Sequence, residues 1–216
     1  MARKTKQESL ETRQHILETA AAIFSERGVS RTSLNEIAVA AGVSRGAIYW
    51  HFKNKVELFN ALWSEMESNI DDVEKNFMSN HPNDPLLVLR QVLIYVLQFS
   101  ATDTRQRTLM EILFHKCEFV GEMISLMEAR QVVHLSSYER IEQTLRNCIE
   151  HQQLPAQLNT HLAAIMMRSY VGGLIENWLF MPESFNLNEK AVFFADAFID
   201  MLKHSEHLRQ GISSSS

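Results

Sequence analysis

The chain has 216 residues, 45% of them hydrophobic and 22% charged, with a formal net charge of −5. That length accommodates one large domain or a small one joined to a larger one, and that apolar content supports a real core. Two cysteines, Cys117 and Cys148, and an opening Met1-Ala2-Arg3-Lys4 with no apolar run behind it exclude a disulfide framework and a secretion signal, and predict a cytoplasmic protein with free thiols.

The net charge hides an asymmetry. Up to Lys55 the chain carries nine basic and five acidic residues, a balance of +4; the remainder carries twelve and twenty-one, a balance of −9. A basic head on an acidic body confines attraction for phosphates to one end.

Arg3, Lys4 and Lys6 form a basic arm able to reach phosphates or the minor groove, or simply to stay solvated. A first helix is predicted over residues 9–27, with Ile16, Leu17, Ala20, Ile23 and Phe24 at helical spacing and Gly28 at its end. Ser33 and Glu36 make a capping box that starts a second helix at Leu34, and Gly42 ends it. Ser44 caps a third helix beginning at Arg45. Helix, four-residue turn, helix is the spacing of a helix-turn-helix, whose second helix lies in the DNA major groove. Ala47, Ile48 and Phe52 can pack inward, leaving Arg45, Gly46, Tyr49 and His51 outward. Arginine there can donate two hydrogen bonds to guanine, glycine lets the backbone approach the duplex, and tyrosine offers a ring and a hydroxyl. The same pattern would also serve an ordinary helical hairpin with a polar outer face.

The run Gly42-Val43-Ser44-Arg45-Gly46-Ala47-Ile48-Tyr49-Trp50-His51-Phe52-Lys53-Asn54-Lys55 resembles the DNA-binding signature of TetR-family repressors. The opening Ala2-Arg3-Lys4-Thr5-Lys6, the stretch from Ile112 through Phe114, His115 and Cys117 to Phe119, and Asn177-Trp178-Leu179 are similar to one branch, the AcrR-like repressors of multidrug efflux pumps. The resemblance implies an all-α fold of about nine helices: a helix-turn-helix head over residues 1–54, a ligand-binding and dimerisation bundle over 55–210, and a low-complexity tail over 211–216. It implies DNA contacts from Thr32, Ser33, Ser44, Arg45, Gly46, Tyr49, Trp50, His51 and Lys55.

Asn54 and Glu57 cap a long fourth helix from Lys55, whose start offers free N–H groups to a phosphate. Phe59, Trp63, Met66, Ile70, Val73 and Phe77 draw one apolar stripe along it. This helix is the one mechanical link between head and body that the sequence identifies. Glu67 lies at the stripe's edge, one turn from Trp63, where a carboxylate beside an indole could hold a cationic aromatic ligand; a solvated glutamate is the plainer reading. The resemblance favours the ligand role. It extends the pocket to Trp63, Met66, Ile70, Met110, Phe114, Met127 and Gln131, with Met123 beside them. Arg130 departs from the branch, where a neutral amide is expected near this position.

Asp84 and Pro85 start a fifth helix to about residue 101, Asp103 caps a sixth, and a seventh runs over about 121–151. His115, Cys117 and Glu118 lack a second cluster at metal-ligand spacing, so neither metal nor cofactor is expected. Residues 162–180 are the most apolar stretch, but Arg168 and Glu176 interrupt it, which argues against a membrane span. Gly172 and Gly173 inside it suggest a closely crossing helix. Asn186 and Glu189 cap a last helix apolar enough to be buried on two sides. The last two helices would then form a two-fold, four-helix interface through Arg168, Gly172, Gly173, Trp178, Phe194, Phe198 and Leu202, making the protein a homodimer suited to a pseudo-palindromic double-stranded operator.

Three function classes compete. A dimeric repressor released by hydrophobic or cationic drugs fits best, with a repressor of another small-molecule pathway, lipid or metabolite, as its variant. An enzyme is disfavoured: no Gly-rich phosphate loop, nucleophile motif or paired ligand cluster appears among seven glycines and scattered histidines. A ligand-free architectural DNA protein is disfavoured by the acidic body.

Overall fold

The computed structural model describes residues 6–118, 121 and 124–209. These form nine α-helices and no strand: α1 Lys6–Arg27, α2 Leu34–Ala40, α3 Arg45–His51, α4 Lys55–Asn80, α5 Pro85–Thr102, α6 Thr104–His115, α7 Ile124–Glu150, α8 Thr160–Phe180 and α9 Leu187–His204. The all-α expectation holds. Arg3, Lys4 and residues 211–216 lie outside the described residues.

Side-chain caps set most of the helix starts. Ser33 Oγ accepts from Glu36 N–H while the Glu36 carboxylate accepts from Ser33 N–H at 2.8 Å. Ser44 Oγ accepts from Ala47 N–H, Asn54 from Glu57, Asp84 from Leu87, Asn159 from Leu162 and Asn186 from Glu189. Each satisfies one backbone donor that a helix start leaves open. Gly42 takes φ +63° past the end of α2, and its neighbour Val43 N–H reaches Ala38 C=O at 3.0 Å, folding the turn back.

The chain divides into two compact units: Met1–Ser68 with Thr104–Arg130, and Asn69–Asp103 with Gln131–Ser216. The division differs from the expected head of residues 1–54, because α6 and the first part of α4 pack with the helix-turn-helix. In the first unit Ile16, Leu17, Phe24, Ile37, Ile48, Phe52, Leu58 and Ile112 are fully buried. The end of α6 grips the end of α1. Val29 N–H donates to Lys116 C=O at 3.1 Å, and Lys116 Nζ donates to Ser25 C=O. Near the start of α6, Arg105 pairs with Glu65 of α4, which lies 3.7 Å from Arg13 of α1. The chain therefore crosses between units at 68–69, 103–104 and 130–131, and α4 is not the sole link.

The second unit is built on α5 against α9, with α8 across both. Its core joins Leu89, Leu93, Leu145, Ala163, Met167, Phe198 and Leu202 around Cys148, whose thiol is pushed up to about 12 by burial and then by the Asp84 charge. A 3-10 turn at Glu206–Leu208 straps its end: Asn159 N–H donates to Leu208 C=O, and the Arg209 guanidinium donates to the Leu202 and Lys203 carbonyls. A cation at the C-terminus of α9 also suits its dipole. Among the described residues α5 alone is long and apolar enough to cross a bilayer, yet it presents Leu89 and Leu93 to this core and also buries Val88 and Leu97.

Candidate functional site

The helix-turn-helix is assembled as its residues dictate. Leu34, Ile37 and Ala38 seat α2, Ile48 and Phe52 seat α3, and Arg13 of α1 lies 5.2 Å above the Phe52 ring. His15 on α1 also bonds Ala41 C=O at 3.1 Å, tying the turn to the first helix. This packing leaves Arg45, Gly46, Tyr49 and Trp50 exposed on one run of α3, Trp50 at 73%, with its indole edge-on to the half-buried His51.

Beside α3 lies a concavity of about 410 Å³ lined by Arg31, Thr32, Ser33, Tyr49, Lys53, Asn54 and Lys55 among others. It gathers the starts of α2 and α4, whose open N–H groups favour anions, beside three cations. Arg31 and Lys53 are both exposed; their signal in the sequence is the basic bias of the head and, for Lys53, its place in the run from Gly42 to Lys55. One acidic group sits among them. Glu36 is held below the usual carboxylate range by its hydrogen bonds from the Ser33 hydroxyl and then from the Ser33 backbone.

Two expected DNA contacts are placed otherwise. Thr32 is 3% exposed, and its hydroxyl donates to Gly28 C=O at 2.9 Å. Lys55 is 6% exposed, and its ammonium donates to the carbonyls of Thr32 at 3.0 Å and Ser30 at 3.4 Å. A buried ammonium needs such acceptors. Both residues therefore shape the loop that carries α2 instead of presenting open groups. The Ser33 and Ser44 oxygens are engaged as caps.

Of the expected ligand-binding residues, Met110 is buried, Trp63, Ile70 and Phe114 are half-buried, and Met127 and Gln131 are exposed. The side chains of Met66, Glu67 and Arg130, and residue Met123, lie outside the described residues. Trp63, Ile70, Met110 and Phe114 do not line the concavity beside α3, the one between α8 and α9 or the one between α5 and α9.

The expected dimer residues separate into two sets. Phe198 and Leu202 are 1% and 0% exposed in the protomer's own core, and Trp178 is 7% exposed, so all three are covered by their own chain instead of standing open to a twin. Arg168 is turned into its own body, donating to Ser137 Oγ at 2.7 Å and lying over the Tyr138 ring. The half-buried Phe194 packs edge-on against Phe185. Gly172 and Gly173 remain open: a Cβ on either would meet nothing within 4 Å, so among the described residues no helix of the same chain crosses closely there. The outward apolar residues are instead Leu162, Met166, Phe180, Met181, Val192 and Phe193. Helical periodicity places apolar residues all around α9, and cannot choose between adjacent Phe193 and Phe194.

Comparison with known proteins agrees with this layout. The family described as "Bacterial regulatory proteins, tetR family" matches residues 16–62, and "MAATS-type transcriptional repressor, C-terminal region" matches residues 84–204. The chain is 57% identical to the HTH-type transcriptional regulator AcrR of Shigella flexneri over 93% of this chain and 94% of that one. It is 41% identical to the HTH-type transcriptional regulator TtgR of Pseudomonas putida, over 97% of this chain and all of that one. Among solved structures it is similar to NalD, the secondary repressor of the MexAB-OprM multidrug efflux pump in Pseudomonas aeruginosa, with a TM-score of 0.81 and 30% identity over 93% of this chain and 100% of that one. It is also similar to a SmeT–triclosan complex, with a TM-score of 0.80 and 29% identity over 91% and 93%.

Proposed function

The chain belongs to the TetR family of bacterial regulatory proteins, and we propose that it is a homodimeric repressor of a multidrug efflux operon, released from its operator by hydrophobic or cationic drugs. The observation that carries the reading is α3: a Ser44-capped helix showing Arg45, Gly46, Tyr49 and Trp50 to solvent beside a basic concavity at the starts of α2 and α4. Arg45 is assigned to a guanine edge, Tyr49 and Trp50 to the groove wall, and Arg31 and Lys53 to phosphates. A two-fold pair sets two such helices about one DNA turn apart, roughly 34–36 Å, on a pseudo-palindromic site. DNA binding places its action in the cytoplasm.

The relatives supply the ligand class. NalD is described as the secondary repressor of a multidrug efflux pump, and SmeT is seen in complex with triclosan, an apolar aromatic compound. For this chain we assign the ligand to the α4–α6 side of the first unit, at Trp63, Glu67, Met110 and Phe114.

A repressor of this type must bind drug and operator against each other, with a coupling of about 1–3 kcal/mol, or 5- to 150-fold. The test is to select genomic fragments that bind the protein, then titrate the best fragment at increasing triclosan and at increasing ethidium. Operator affinity falling 5-fold or more with either drug, matched by an equal loss of drug affinity on DNA, is the expected result. Unchanged operator affinity at saturating levels of a drug shown to bind overturns the reading.

A further inference from the structure

We propose that Glu65 is a positioning residue for operator reading: from its place on α4 it holds Arg13 of α1 over the Phe52 ring, and so fixes the end of α3 without touching DNA. The inference rests on the reading of α3 as the helix that enters the groove, and it concerns the first unit only. Glu65 follows Lys55, the first residue of α4, by ten positions, which is about 15 Å along the helix. It lines no part of the basic concavity. Its carboxylate is instead a junction of three helices. One oxygen lies 3.7 Å from Arg13 Nη1, and the other accepts from Arg105 at the start of α6. The Gln14 amide fits between them, its nitrogen donating to Glu65 Oε1 and its oxygen accepting from both Nη atoms of Arg105, each at 3.1 Å.

Three consecutive residues of α1 register the reading motif. Arg13 stands over Phe52, 5.2 Å from the ring centroid; Gln14 meets Glu65 and Arg105; His15 Nε2 donates to Ala41 C=O at 3.1 Å. Ala41 is the C-cap of α2 and Phe52 the C-cap of α3, so one stretch of α1 touches the ends of both helices. The Phe52 N–H closes the last turn of α3 on Ile48 C=O at 2.9 Å. From there ring contacts lead outward: His51 lies 6.2 Å from the Phe52 centroid and 4.6 Å from that of the exposed Trp50. A helix of seven residues is too short to hold itself, so its set depends on what its ends pack against. A guanidinium over an aromatic ring favours the docked arrangement by about 2-fold when exposed and about 30-fold when desolvated. The Arg13 side chain is 37% exposed, which places its contribution between these limits, at about 3- to 10-fold. Without the Glu65 charge the Arg13 and Arg105 guanidinium groups converge as like charges, and repulsion draws Arg13 off the ring.

The experiment uses Glu65→Gln, Arg13→Met and the double variant in the full chain. Arg146→Gln, which breaks the Arg146–Glu142 pair of the second unit, controls for losing an ion pair as such. Glutamine keeps the size of Glu65, and methionine keeps an apolar stem over Phe52. Three quantities are read: melting by circular dichroism, amide exchange at Ile48 and Phe52, and competition between the best selected genomic fragment and an arbitrary duplex. Exchange at the two amides should quicken by about 3- to 10-fold in each single variant. Preference for the selected fragment should fall by at least about 2-fold as the loosened α3 becomes populated. The salt slope of Glu65→Gln on the arbitrary duplex should hold, because no phosphate contact is removed. The double variant should lose no more than the worse single one, since both act through one contact. The control should match the parent in exchange and in preference. A parent that binds no fragment in preference to the arbitrary duplex sinks the reading of α3, and this inference with it. A parent that discriminates, beside a Glu65→Gln chain with unchanged preference and exchange, overturns the positioning role alone. So do losses that multiply in the double variant, or a lower melting temperature with preference retained, which would make Glu65 a staple between helices and nothing more.

Discussion

Replacing Lys55 with methionine separates two roles that a lysine at a helix start can play. As an open phosphate contact it would contribute to DNA affinity and nothing to the fold. In this structure its ammonium is buried and donates to the carbonyls of Thr32 at 3.0 Å and Ser30 at 3.4 Å. Methionine keeps most of the apolar stem and removes the charge and both donors. A hydrogen bond from a charged group contributes about 1.5–3 kcal/mol net, and the longer of these two sits at the limit of useful geometry. The expected loss is therefore about 2 kcal/mol, or about 4–8 °C in melting temperature for a chain of this length. The second readout is the salt dependence of binding to an arbitrary duplex, which counts neutralised phosphates at about 0.9 per contact. With Lys55 committed to the loop, that slope should hold while stability drops. A Lys55→Met protein that melts like the parent but whose salt slope falls by about one would show that the lysine serves phosphate and that the strap is incidental.

Gly28 has φ +82°, and a Cβ there would lie 3.3 Å from Lys116 C=O; Gly28→Ala should cost about 1–2 kcal/mol in urea unfolding, and an unchanged midpoint would mean that α6 yields freely. Arg45→Ala should relax sequence preference by about 1–3 kcal/mol at one base pair, read by competition between selected and arbitrary duplexes; equal losses on both would remove Arg45 from base reading. Asp196 is held below its ordinary value by its hydrogen bond from Arg90 and then by the Arg90 charge. A depressed carboxylate contributes stability above its unfolded value of about 3.9 and loses it as pH falls through the folded value. Because the pair is partly exposed, the amount is at most about 1 kcal/mol. Urea midpoints of the parent and Asp196→Asn should thus differ at pH 6 and converge towards pH 3, and a constant gap would refute the linkage.

Much of this molecule is legible before any coordinates, and the reason is local chemistry. Ser33 with Glu36, Ser44, Asn54 with Glu57, Asp84 with Pro85, and Asn186 with Glu189 each declare a helix start within four residues, and each was found capping. On α3, Ile48 and Phe52 leave one face for Arg45, Gly46 and Tyr49, which are exposed as the sequence reads, whereas His51, expected outward with them, is half-buried and Trp50 is exposed. What escaped depends on residues far apart in the chain. Thr32 and Lys55 look like surface polar groups until residues 30–32 are found folded against the start of α4, 23 positions away. Phe198 and Phe193 have the same composition and the same helix, and only the position of α5 decides that one is core and the other is solvent-facing.

Lys116 is the residue whose meaning changes most. In the sequence it belongs to a His-Lys-Cys-Glu stretch that invites comparison with metal sites. In the fold its carbonyl receives Val29 N–H and its ammonium reaches Ser25 C=O. The five residues 28–32 are therefore held from two directions, by the end of α6 at Lys116 and by the start of α4 at Lys55. That segment leads directly into the Ser33 cap of α2. A displacement at either helix end acts on the same short loop, in which Gly28 C=O, Val29 N–H, Ser30 C=O and both backbone groups of Thr32 are already hydrogen-bonded. A repressor built this way does not require its long fourth helix to act alone as a lever. Two helix ends converge on the entrance to the reading motif, and a change that loosens only one of them leaves the other still holding it.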